Sequence, residues 1–80
     1  IEKQNKEKNL LVFPNPTNGQ IFLTLSSDIE SLKLYDITGR LILEKGGHEK
    51  QLMLPEDKGM YLLHIQLNNG NSILKKLIRN

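Results

Sequence analysis

Cysteine and tryptophan are absent from the 80 residues, and phenylalanine and tyrosine occur twice each. Without cysteine no disulfide can staple the chain, so a bridge-dependent miniprotein is excluded, though secretion is not. With no cysteine and only His48 and His64, no ligand set for structural zinc exists. No apolar run exceeds four residues, so no helix can span a membrane. Ile1 to Asn9 is polar and holds no signal-peptide core in this stretch. Neither sign of charge dominates: 11 basic against 9 acidic residues give a net +2, weak ground for nucleic-acid binding. Lys75, Lys76 and Arg79 make a small basic end without interleaved aromatics, which reads as a charged strand edge and not as a nucleic-acid platform.

Recognisable catalytic groupings are missing too. Glu56 and Asp57 are adjacent, and adjacent side chains in an extended loop point apart, a poor acid–base couple. His64 falls on the outward side of an alternating run, and His48 follows Gly46-Gly47 in a loop. Ser26, Ser27 and Ser31 lack a nucleophile setting, no glycine loop has phosphate-binding spacing, and no loop spaces its oxygens for calcium. The expectation is a chain that is not an enzyme and needs no cofactor.

What is present is alternation. Ile21, Leu23 and Leu25 alternate, as do Leu32 and Leu34, Leu52 and Leu54, and Tyr61, Leu63, Ile65 and Leu67. Turn residues separate these runs about every ten residues, which predicts an all-β sandwich or barrel. Seven strands are expected, over 10–13, 20–25, 31–35, 40–45, 50–54, 60–67 and 72–79. Residues 1–9 carry one apolar side chain among charges of both signs, so they read as a flexible linker before a domain over 10–80. This organisation suggests the C-terminal module of a longer protein.

The turns have mechanisms. Asn69-Gly70 between two alternating runs predicts a tight hairpin with positive φ at both residues. Asp36 can accept from backbone N–H groups two residues on, with Gly39 in the left-handed position beside Arg40. Gly59 returns the chain into a strand. Asp57-Lys58-Gly59-Met60-Tyr61 has the spacing of the tyrosine corner of immunoglobulin-like sandwiches, unless Tyr61 is simply one more inward residue.

Four segments together resemble a known family. Phe13-Pro14-Asn15-Pro16-Thr17-Asn18-Gly19 is similar to the aromatic-Pro-Asn-Pro-x-x-Gly start of type A C-terminal sorting domains of the type IX (Por) secretion system of Bacteroidetes. Leu34 to Ile42 resembles their apolar-x-Asp-x-x-Gly-Lys/Arg-x-apolar turn. Leu54 with Gly59 to Ile65 resembles the third motif, and Lys76-Leu77-Ile78 the fourth. Phe13 stands where the family commonly has Tyr, and Arg79 where it often keeps an apolar residue.

The resemblance implies a seven-stranded, antiparallel, immunoglobulin-like sandwich behind a linker, acting as a non-catalytic address. An N-terminal passenger would travel through the periplasm and the type IX outer-membrane translocon, aided by a shuttle protein. A sortase-like cysteine peptidase would then remove the domain at the cell surface. No nucleic acid and no membrane span is expected. The residues read as partner-recognising are Lys75, Lys76, Leu77, Ile78 and Arg79, with Pro14, Asn15, Pro16 and Gly19. Asp36, Gly39, Arg40, Gly59, Tyr61, Asn69 and Gly70 read as turn chemistry. For Pro14-Asn15-Pro16, a structural stop and a rigid recognition loop both stand. For the last strand, one reading is an exposed edge that receives a partner strand, leaving residues 76–80 removable without unfolding. The other is a core strand whose loss unfolds the domain. The rival function is a carbohydrate-binding or adhesion sandwich, for which only Phe22 and Tyr35 fall on the outward side as a platform.

Overall fold

The computed structural model describes residues 11–24, 29–46 and 49–80. The expected linker over 1–9, the strand ends at Leu10 and Leu25, and the His48 loop lie outside the described residues. Seven strands are present: β1 (Leu11–Phe13), β2 (Gln20–Thr24), β3 (Ile29–Asp36), β4 (Leu41–Gly46), β5 (Gln51–Met53), β6 (Gly59–Leu67) and β7 (Ser72–Arg79). They form two antiparallel sheets, β1-β2-β5 and β4-β3-β6-β7. The chain changes sheet between β2 and β3, β4 and β5, and β5 and β6, so β5 returns to lie beside β2. This is a sandwich of the immunoglobulin-like kind.

Alternation explains the layering. In β6, Tyr61, Leu63, Ile65 and Leu67 are buried while Met60, Leu62, His64 and Gln66 are half-buried on the other face. Ile21 and Leu23 of β2, Leu32 and Leu34 of β3, and Leu52 of β5 meet them, with Leu77 closing the core from β7. Each side chain fully removed from water contributes about 1.5–3 kcal/mol. The start of β3 was not expected. Ile29 is buried and pairs Leu67, but the register shifts between Ile29 and Ser31, so the next inward residue is Leu32, three positions on. That irregularity breaks the period of two that makes a strand readable.

Tyr61 makes the tyrosine corner: its hydroxyl donates to the Asp57 carbonyl at 2.6 Å. The Asn69-Gly70 expectation needs correction. Gly70 has φ +94°, yet no described residue other than glycine has positive φ. Gly70 N–H donates to the Leu67 carbonyl at 3.1 Å, and Leu67 N–H to the Asn71 carbonyl at 2.8 Å. The turn is centred one residue earlier, on Asn68-Asn69, and Gly70 follows as the left-handed bulge residue. Asn69 Oδ1 accepts from Asn71 N–H at 2.9 Å and needs no positive φ to do so.

Candidate functional site

Antiparallel pairing sends β1, β3, β5 and β7 towards one end of the sandwich and starts β2, β4 and β6 there. The β1–β2 loop, the Asp36–Gly39 turn, the corner at Asp57–Tyr61 and the end of β7 therefore share a pole. Leu11, which begins β1, lies towards the opposite end.

The turn at Asp36 is built as its residues dictate. The Asp36 carbonyl accepts from Gly39 N–H at 2.9 Å, with Gly39 at φ +91°. Asp36 Oδ1 accepts from Thr38 N–H at 2.9 Å, Thr38 Oγ1 at 2.6 Å and Arg40 N–H at 3.1 Å. Arg40 Nε pairs with Oδ2 at 3.1 Å from an exposed position, which is worth little by itself. The Thr38 hydroxyl, more than the arginine, holds the Asp36 carboxyl below its ordinary value, with the two backbone N–H donors adding to it. A carboxyl with a depressed pKa stabilises the fold above its unfolded pKa and loses that contribution as pH falls through the folded value. Asp36→Asn keeps the acceptor but not the charge. The stability gap between the natural chain and this variant is expected to be full at pH 7 and to close below about pH 4, as followed by urea unfolding at several pH values. A gap independent of pH would contradict the charge argument.

The Pro14–Gly19 loop leaves sheet β1-β2-β5 and seals onto β7 of the other sheet. Asn15 Nδ2 donates to the Lys76 carbonyl at 2.9 Å, and Asn15 Oδ1 accepts from Ile78 N–H at 3.0 Å. Thr17 N–H donates to the Ile78 carbonyl and Asn80 N–H to the Thr17 carbonyl, both at 2.8 Å, a short parallel bridge. Asn15 is thus a side-chain substitute for a strand, not simply a turn residue. Pro14 and Pro16 flank it, and both of their peptide bonds are cis. Thr17 is buried; its Oγ1 donates to the Gln20 carbonyl at 2.7 Å and accepts from Gly19 N–H at 3.0 Å.

Arg79, the departure from the family pattern, ties this loop to the next. Its Nε donates to the Pro55 carbonyl at 2.7 Å, and a terminal guanidinium nitrogen donates to the Asn18 carbonyl. A Cβ on Gly19, at φ +133°, would sit 3.0 Å from Met53 Sδ and 3.3 Å from the Arg79 guanidinium, so this position takes glycine for both space and backbone. Sequence reading missed Thr17 and the roles of Arg79 and Pro55. The one local signal was a Thr two residues before a Gly, the spacing of a hydroxyl-to-backbone turn.

On β7 the alternation holds through the lysines. Ile73, Lys75, Leu77 and Arg79 face inward; Leu74, Lys76 and Ile78 are exposed on the outer face. Lys75 is half-buried on the core-facing row, Leu77 fully buried. The recognition candidates therefore divide: Asn15, Gly19 and Arg79 are joined by hydrogen bonds or close approach at the pole, while Lys76 and Ile78 present side chains to water. Beside them a depression of about 350 Å³ is lined by Asp36, Ile37, Arg40, Pro55, Lys58 and Met60, among others. Among the described residues no three His, Asp or Glu side chains group to hold an ion.

No curated protein sequence matches the chain. Among solved structures, the crystal structure of CopC from Methylosinus trichosporium OB3b is similar at 20% identity and a TM-score of 0.47, over 85% of this chain and 88% of that one. A family profile described as the secretion system C-terminal sorting domain matches residues 11–80. That span holds the strands, the four motifs and the pole they build, and the chain belongs to this family of type IX secretion sorting domains.

Proposed function

We infer that this domain is a detachable, non-catalytic address for a passenger joined at its N-terminal side. The passenger crosses the periplasm, meets the type IX translocon and shuttle protein, and is separated by a sortase-like cysteine peptidase at or before residues 1–9. The domain itself spans 10–80 in this reading. The observation that supports it most is the family match over residues 11–80, within which separate motifs fold onto one pole. Leu11 lies towards the other end, so a passenger there would leave the pole clear for partners.

The test is transport. Residues 1–80 are fused behind a periplasmic fluorescent protein in a bacterium that has the type IX system. The reporter is expected at the surface or in the medium, with loss of a fragment near 9.2 kDa. Retention in the periplasm by a folded domain would sink the reading.

One observation favours a second reading. Phe13 and Phe22 lie side by side on the outer face of sheet β1-β2-β5, their ring centroids 5.9 Å apart, whereas Tyr35 belongs to the other sheet. The outward pair is therefore not Phe22 with Tyr35, and a glycan platform would use the two phenylalanines. Retention on insoluble polysaccharide by a chain that fails the transport test would move this reading to the front.

A further inference from the structure

The outer edge of β7 is closed along only part of its length. Asn15 and Thr17 take the Lys76 carbonyl and both main-chain groups of Ile78. Outward-pointing groups recur every second residue in a strand. The N–H of Lys76 and the N–H and C=O of Leu74 and Ser72 therefore point off the sheet, and they meet no partner among the described residues. A row of unpaired main-chain groups is a template for one more strand.

We propose that the edge from Ser72 to Lys76 receives an extended, acidic–apolar segment of a secretion partner by strand addition. This rests on the sorting-signal reading and names how that signal is gripped. The side chains select the occupant. Leu74 is 62% exposed and Ile78 41% exposed, so apolar side chains on the incoming strand have a surface to cover. Gly59 to Asn80 carries no Asp or Glu but holds Lys75, Lys76, Arg79 and His64. On the outer face Lys33 stands opposite His64, and His64 opposite Leu74. Glu44 lies on the far edge strand, opposite Lys33. A second copy paired antiparallel over Ser72–Lys76 would set each Lys76 opposite Ser72 and offer it no carboxylate, whereas an acidic strand gives the same lysine an opposite charge.

Proline separates the edge from the core. Leu74→Pro deletes an N–H that points away from β6, and proline is tolerated on an edge strand facing solvent. Ser72→Pro does the same at the first residue of the strand. Leu74→Val keeps the N–H. Each is placed in the full reporter fusion, and melting is followed on the purified chain. The expected result is at least a tenfold fall in export for a proline variant that still melts cooperatively, with Leu74→Val exported normally. Lys76→Glu is expected to lower export similarly. Normal export of either folded proline variant overturns strand addition, as does a dimer of the natural chain that Leu74→Pro dissolves, since a second copy then occupies the edge. Failure of the natural fusion to be exported would instead overturn the sorting reading itself.

Discussion

Removing residues 76–80 is expected to leave a chain that no longer folds cooperatively at 25 °C. The segment contains Leu77, fully buried and opposite Tyr61, and it pairs with the first four residues of β6. Losing a side chain like Leu77 costs about 2–5 kcal/mol where the cavity cannot collapse. The cut also strips partners from Asn15, Thr17, Asn18 and Pro55. Thr17 is the buried one of these, and its main-chain groups left unpaired cost about 1–3 kcal/mol each, whereas the exposed Asn15 and Asn18 turn to water at little cost. Small domains have about 5–15 kcal/mol of total stability, and one this size sits near the lower end. The losses therefore reach the whole. Circular dichroism through a thermal scan checks this, and a cooperative transition within a few degrees of the full chain would contradict it. The result governs how truncation is used. Failed export of such a truncation reports lost folding, so recognition at β7 has to be probed by edge substitutions that spare Leu77.

How far the fold was readable depended on whether a signal was local. The β6 run from Tyr61 to Leu67 keeps strict alternation, so its buried face could be named from spacing alone. The tyrosine corner was readable because donor and acceptor are four residues apart. The Asp36 turn was readable for the same reason. Ile29 was missed because a register shift puts the next inward residue three positions away. The pole was the least readable part. Asn15 meets Lys76 and Ile78 across 61 and 63 residues of sequence, and Arg79 reaches Asn18 across 61. No periodicity links such positions, because only the two-sheet topology brings them together. Arg79 therefore looked like an irregularity in an apolar strand, when its guanidinium lies against Gly19 and satisfies two loop carbonyls.

Thr17 allows the loop's contribution to be measured without disturbing its shape. The hydroxyl serves two main-chain groups, the Gln20 carbonyl and the Gly19 N–H, in a place where Thr17 itself is 1% exposed. Thr17→Val keeps the volume and the branched stem but leaves both groups without that partner. At about 1–3 kcal/mol for the buried Gly19 N–H and about 1 kcal/mol for the half-buried Gln20 carbonyl, the expected loss is about 2–4 kcal/mol. Thr17→Ser keeps the hydroxyl and removes one methyl, for about 1 kcal/mol. Urea unfolding with unchanged m-values gives both numbers on one scale. A valine variant as stable as the serine variant would mean that Thr17 acts as an apolar plug and that the hydroxyl is incidental. The expected order, serine above valine, makes the hydroxyl the pin that shapes the loop between Pro16 and Gln20. Through the Thr17 main chain that loop is fastened to Ile78 and Asn80. The first and last motifs would then stand or fall as one unit, and a change in either should be felt in the other.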